Sequence, residues 1–334
     1  MNAAPQYIEC NHPRKQRATT DEDTHTTKNT LWKMSEFDIP TDVVVGKKYL
    51  KYYGDHKTPW LEDNENLQKS LAQNKWTRWD GVEGTAESHM DWLNDQARSL
   101  MSDERSSEYR AYGEKRGVKY FIHDEMTAKG GGYGFFKLEG TLQIEARDMV
   151  ASMFDFHQTA ESDETVVLMR NIKTYKEKGD GPFVAAAYWC NDPGFPFYYR
   201  DGLDLSGYRK DDDGTYWQLS VSAKGKDFVS MPGAIAGEDL YWAYRLVPND
   251  DGTTKTTLIC QTKLNGWIPK FLSNYFLCAV LIDYMVRSYQ KTGKAWSYIF
   301  FYEIRKLKGL FHFARPRPRR PFAEKRKVEN TRNC

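Results

Sequence analysis

The chain has 334 residues, 40% of them hydrophobic and 28% charged, with a formal net charge of +2. A mean hydropathy of −0.74 predicts a soluble chain rather than an integral membrane one, and the longest apolar run, Tyr275–Ile282, is too short to span a bilayer before Asp283 interrupts it. Five scattered cysteines without a Cys-x-x-Cys pair predict free thiols in a reducing compartment; the polar N-terminus offers no apolar secretory segment, so the expected location is cytoplasmic.

Residues 1–30 are polar, Thr-rich and unpatterned, which predicts disorder. Residues 31–75 add scattered apolar anchors without a clear period, so 1–75 is expected to be a mostly irregular extension. Met90 to Leu100 has helical spacing, with Trp92, Leu93, Ala97 and Leu100 on one side. Strands are expected at Val118–His123, Phe135–Ile144, Val166–Met169, Phe183–Asn191, Leu203–Tyr208, Tyr216–Ala223, Leu240–Leu246 and Thr256–Lys263. A short helix, Arg147 to Phe156, interrupts them, and Asp-Asp-Gly at 212–214 and 250–252 are hairpin signals. Gly130-Gly131-Gly132 reads as a turn rather than a phosphate loop, because neither a following Lys-Ser/Thr nor a helix accompanies it.

The sequence then changes character. Gly266-Trp267-Ile268-Pro269 precedes a long apolar helix, with Pro269 suited to its first position. Ile268, Phe271, Tyr275, Ala279, Ile282, Val286 and Tyr289 recur at helical spacing and predict one inner face. The opposite side is barely polar, so the helix is expected to be buried or to face something oily. Strands, a small helix, antiparallel strands and one closing helix make an α+β fold, the helix lying over a curved sheet.

Three segments carry a resemblance to a known family: Gly117–Tyr120 with Gly134–Gly140; Tyr188-Trp189 with Phe195-Pro196 and Arg200-Asp201; and Gly266–Lys270 with the terminal helix. From about Glu114 to Thr292 the chain resembles a START domain, the steroidogenic-acute-regulatory-related lipid-transfer module. The resemblance implies a helix-grip fold whose antiparallel sheet wraps the C-terminal helix around a cavity for one lipid. It implies lipid carriage or sensing without catalysis, with no cofactor, in a domain over 76–293.

The expected lipid site is lined by Ala185, Ala187, Trp189, Arg200, Asp201, Trp242, Phe271, Tyr275, Ala279 and Ile282. Consecutive alanines at 185–187 leave space on a strand, and Trp189 shares a face with Ala185 and Ala187, so a closed pocket of roughly 300–1,000 Å³ is expected there. In phosphatidylcholine-binding members a Trp at this place helps to cage choline by cation–π attraction. Here the aromatic expected after Asp201 is replaced by Gly202, and Arg170 is the nearest candidate for a phosphate-binding Arg, so phospholipid and sterol both stay open. Phe195, Phe197 and Trp267 are expected at the cavity mouth, touching the membrane.

Residues 305–327 hold ten Lys/Arg and one Glu, beside an aromatic helical face at Trp296, Phe300, Ile304, Leu307 and Phe311. That combination suits an anionic membrane surface, so 294–334 is read as an aromatic, then basic, extension docking through 294–327. A solvated tail and a nucleic-acid patch are the alternatives, with nucleic acid placed last. No HExxH, paired His or GxSxG pattern occurs, so no catalytic or metal residue is assigned. Two other functions remain: an enzyme of the cyclase/hydrolase type in the same helix-grip cavity, which needs an inward acid or His with a shifted pKa, and a lipid-regulated interaction module.

Overall fold

Alternating and helical periods each become elements. The computed structural model describes residues 42–53, 57–176, 183–194, 197–224 and 228–287, all within the compact unit Phe37–Cys334. In chain order these form β1 (Val43–Val45), α1 (Pro59–Glu62), α2 (Glu65–Gln73), β2 (Trp76–Arg78), β3 (Glu83–Gly84) and α3 (Ala86–Leu100). Next come β4 (Arg110–Lys115), β5 (Val118–Ile122), α4 (Asp124–Lys129), β6 (Phe136–Leu142), α5 (Ala146–Phe154) and α6 (Phe156–Ser162). The remainder is β7 (Val166–Lys176), β8 (Phe183–Asn191), β9 (Tyr199–Lys210), β10 (Tyr216–Lys224), β11 (Ala234–Ala236), β12 (Glu238–Pro248), β13 (Thr254–Lys263) and α7 (Lys270–Arg287).

The main path of the sheet runs β1-β7-β8-β9-β10-β12-β13-β6-β5-β4, antiparallel throughout. The two Asp-Asp-Gly signals become the β9–β10 and β12–β13 turns, with Gly214 and Gly252 at φ 84° and 78°, where a side chain would be strained. Residues 43–73, which carry no clear period, form β1, α1 and α2. Val43–Val45 pairs with Leu168–Arg170, and the Asn64 side chain caps α2 by accepting from the Leu67 N–H at 3.0 Å. Such short elements depend on the surface they cover more than on their own period.

One face of the sheet packs on α3. Thr85 caps this helix by accepting from the Ser88 N–H, and Met90, Leu93, Ala97 and Leu100 form its buried stripe. They share a core with Trp76, Val184, Ala186, Tyr188, Leu203, Leu205, Leu219, Val221 and Ala243. The Arg78 guanidinium stacks 3.5 Å from the Trp92 ring, and Trp79 Nε1 donates to the Leu240 carbonyl at 3.0 Å.

The other face receives α7, which packs on β5 and β6. The Pro269 carbonyl accepts from the Leu272 and Ser273 N–H groups, which opens the helix as the Pro predicts. Among its described side chains Ser273, Cys278, Leu281, Ile282 and Met285 are buried, whereas Phe271 and Tyr275 are exposed. The inner face therefore coincides with the expected one at Ile282 and departs from it at Phe271 and Tyr275. Periodicity cannot choose a face on a helix apolar nearly all round. Asn274 helps to choose it: its side chain accepts from the Gly134 N–H at 2.7 Å and donates to the Gly132 carbonyl at 3.1 Å, which pins that side of α7 to the glycine turn. A curved antiparallel sheet with this closing helix is the α+β helix-grip arrangement. Among the described residues no helix is long and apolar enough to cross a membrane.

Candidate functional site

Strand alternation and register build the site. On β8, Val184, Ala186, Tyr188 and Cys190 enter the core under α3, so Ala185, Ala187 and Trp189 take the opposite face. Register carries that face across the sheet. Ala187 stands opposite Asn171 of β7 and Asp204 of β9, and Asp204 opposite Ser222 of β10. Ala185 stands opposite Ser206, then Ser220, Trp242, Cys260 and Phe136 in successive strands. This is the side of α7: burial pushes the Cys260 thiol up, and the nearby Cys278 of α7 adds to the shift. At the other margin Phe154 packs edge-on to Phe183, and Phe156 and Ala160 cluster with Val44, Val166 and Ala187.

Trp189, Ser206, Asp239 and Trp242 are only half-buried although they lie within strands on this covered face. Their remaining surface leaves this stretch of the face only partly covered. Trp189 lies flat over two glycines: a Cβ on Gly202 would sit 2.6 Å from its ring, and one on Gly237 2.8 Å from it. The missing aromatic at 202 is thereby explained, since Trp189 occupies the volume that a side chain there would need. Trp189 Nε1 donates to Asp204 Oδ2 at 2.8 Å, which fixes the ring.

Asp204 is buried and heads a polar network. Ser222 Oγ donates to Asp204 Oδ1 at 2.6 Å, and the Asp239 N–H donates to Ser222 Oγ at 2.7 Å. Thr262 Oγ1 donates to Asp239 Oδ1 at 2.6 Å, and the Ser206 and Ser220 hydroxyls lie 2.8 Å apart. The two carboxyl groups also bond to each other. Burial pushes both upward; hydrogen bonds from Ser222, Asp239 and Trp189 hold Asp204 back, while the charge of Asp204 drives Asp239 well above the usual range. The two therefore titrate as a pair, with Asp239 the harder of the two to ionise.

The predicted site residues separate into groups. Ala185, Ala187, Trp189 and Trp242 lie together on this face, and Ile282 is buried on α7. Phe271 and Tyr275 lie outside, 75% and 50% exposed, and Trp267 is 76% exposed beside them. Phe197 is half-buried, while Phe195, the side chain of Ala279 and the extension 294–334 lie outside the described residues. Arg200 and Asp201 point to opposite faces and both have main-chain work. Arg200 donates to the carbonyls of Tyr198, Tyr199, Leu264 and Asn265, strapping β9 to the turn before α7. Asp201 accepts from the Tyr188 hydroxyl at 3.0 Å and the Met231 N–H at 2.7 Å. Arg170 is on the α3 side, bonded to Thr58 and Glu62.

Sequence reasoning missed Asp204, Asp239 and the serines. The signal was present as Asp204 between Leu203 and Leu205 and as Ser220 and Ser222 alternating with Leu219, Val221 and Ala223. Of two pockets, one of about 420 Å³ lies between α2 and β7 around Leu71 and Lys173, and one of about 780 Å³ lies between β1 and α6 around Val44 and His157, at the margin where Val44 and Ala160 pack with Ala187. Among the described residues no cluster of His, Cys, Asp and Glu has the composition of a metal site.

The START domain family model matches residues 123–295 of the chain. Among solved structures, human StAR-related lipid transfer protein 5 is 15% identical over 58% of this chain and 89% of its own, with a TM-score of 0.51. Human STARD10 is 15% identical over 66% of this chain and 83% of its own, with a TM-score of 0.49. The lipid transfer and protein localization domain of human StarD13 is 16% identical over 60% and 96%, with a TM-score of 0.46. No curated protein sequence matches the chain.

Proposed function

We propose, from the premise that this chain belongs to the START domain family, that it binds one lipid on the α7 side of its sheet and carries or senses it between membranes. The observation that supports this reading is the partly uncovered stretch at Trp189, Ser206, Asp239 and Trp242, on the side of the sheet on which α7 packs. Apolar burial supplies the affinity, at about 0.8 kcal/mol for each CH₂ removed from water, and the polar network meets the polar end. The binding domain is 76–293, with Ala185, Ala187, Trp189, Trp242 and Ile282 lining it. Trp267, Phe271 and Tyr275, with Phe197, form the edge that meets the bilayer while α7 opens. The protein works at cytoplasmic membrane surfaces, without a cofactor.

The basic stretch 305–327 docks the domain on anionic membranes, each Lys or Arg near the leaflet contributing about 1 kcal/mol. Deleting 305–334 is expected to leave lipid binding intact and to slow transfer from phosphatidylserine-containing vesicles, with the difference vanishing at high salt. The direct test of binding is extraction of lipid from vesicles of mixed composition, read by mass spectrometry of the re-isolated protein. Recovery of lipid at about one per chain is expected; protein recovered without lipid would sink the proposal.

One observation favours a second reading. Asp239 is an inward-facing acid with a strongly raised pKa, which is what an enzyme in this cavity would need. Here the acid is paired with the buried Asp204, so we read the pair as recognition. Bound lipid recovered chemically unchanged after long incubation is the expected result; a converted lipid would favour the enzyme.

A further inference from the structure

We infer that the cleft between α1, α2 and β7 is a second binding site, and that it takes a small amphipathic carboxylate. The cleft lies on the α3 side of the sheet, so it goes beyond the lipid-binding reading and does not depend on it.

β7 is shaped for this cleft. Its register on β8 shifts between Asn171 and Lys173, which breaks plain alternation there. Arg170, Ile172 and Lys173 therefore all line the one cleft, two cations around an aliphatic side chain. α2 contributes Leu71 and Ala72, and α1 contributes Leu61 and Glu62. Leu61 and Leu71 are buried and Ile172 is half-buried, so the apolar part of the wall is continuous with the core. The space enclosed is about 420 Å³, the size of a small-molecule pocket.

Arg170 is set up to receive an anion. Its Nη1 donates to Thr58 Oγ1 at 2.6 Å and to Glu62 Oε1 at 2.8 Å, which fixes the guanidinium plane. The Nε–H is buried and has no hydrogen-bond partner. Among the described residues none accepts from Nη2. Nε and Nη2 carry parallel N–H groups, the pair that a carboxylate accepts side-on. A buried donor without an acceptor calls for one that the fold itself does not supply. Lys173 Nζ donates to the Leu71 carbonyl at 2.7 Å near the end of α2, and an ammonium group has two further N–H groups to give. The Glu62 carboxylate stands on the same rim, so a dianion meets repulsion where a monoanion does not. A single carboxylate on an apolar body answers both the two cations and the wall of Leu61, Leu71 and Ile172.

The test is titration of the full chain with sodium octanoate, followed by the methyl resonances of Leu61, Leu71 and Ile172. Saturable shifts at these three residues are expected, with 1-octanol, which has the same chain and no charge, binding there at least tenfold more weakly. Shifts confined to other methyl groups, or no shifts, would overturn the assignment. Equal binding of 1-octanol would also overturn it, and inorganic phosphate binding as tightly as octanoate would overturn the choice of an amphipathic ligand. Two variants leave the bonds from Arg170 to α1 in place. Lys173→Gln keeps an amide donor and removes the charge, so octanoate affinity should fall about tenfold while that of 1-octanol holds. Ala72→Trp adds bulk at the mouth from an exposed position of α2 and should abolish the three shifts. Unchanged octanoate affinity in folded Lys173→Gln would overturn the proposal, and this variant together with the wild-type mapping decides the matter if Ala72→Trp does not fold.

Discussion

Position 202 is where one side chain excludes another. The Trp189 ring fills the space above Gly202 and Gly237 and is held by its bond to Asp204, so it has little freedom to give way. Gly202→Ala should therefore cost about 1–3 kcal/mol by overpacking, measured by urea unfolding. Trp189→Phe in the same background, with its smaller ring and no Nε1 anchor, should recover part of that loss. Losses that simply add in the double variant would mean the two positions do not compete. The acid pair permits a second prediction. Burial raises the Asp239 carboxyl above its ordinary value of 3.8. Between that value and the folded one, the native state binds more protons than the unfolded state, so this group removes stability as pH rises through the window. Asp239→Asn abolishes the loss: it should match the wild type in acid and exceed it near neutrality, in unfolding curves taken from pH 4 to 8. A constant offset across that range would contradict the raised value. Neither pairing was legible beforehand, because Trp189 and Asp204 meet only through the β8–β9 register, which a single sequence leaves free.

At the scale of elements, α7 is held by polar straps at its start as well as by its buried Cys278, Leu281, Ile282 and Met285. Arg200 closes two main-chain acceptors of the preceding turn, at Leu264 and Asn265, and two beside itself, at Tyr198 and Tyr199, and Asn274 closes a donor and an acceptor of the 130–134 turn. Arg200→Ala leaves those carbonyls without a donor and should destabilise the fold by about 3 kcal/mol or more. Hydrogen exchange should quicken first over 264–275, and lipid should leave faster. Uniform acceleration across the sheet would instead make Arg200 a global core residue. Much at this scale could be read early: the paired Asp-Asp-Gly turns, alternation in β8 and β10, the stripe of α3 and the Pro269 start of α7 are all local signals. The orientation of α7 could not, because Phe271 and Tyr275 fit an apolar stripe as well as Cys278 and Leu281 do. β4, α1 and α2 went unread for a related reason. β4 is exposed at every residue and so carries no apolar alternation, and α1 and α2 together bury only Leu61, Leu67 and Leu71.

For the molecule as a whole, the stretch that matches the family begins at 123, yet the core does not. Trp76, Met90, Leu93, Ala97 and Leu100 are buried against the sheet from outside that stretch, and Leu61, Leu67 and Leu71 extend the same cluster. A fragment of 123–295 should fail to fold, whereas 58–293 should give a cooperative unfolding transition; dispersed amide resonances from the shorter fragment would show that α3 is dispensable. The order of strands has one more implication. The main path is open, ending at β1 on one side and β4 on the other. β4 reads Arg-Ala-Tyr-Gly-Glu-Lys, with a register shift between Ala111 and Gly113 and an ion pair from Arg110 to Asp124. A straight, apolar strand in that place would offer its unpaired main chain to the next molecule. Charge and a bulge there oppose the addition of a neighbouring copy as a further strand, so the β4 edge resists self-pairing even in a chain that presents a greasy rim elsewhere.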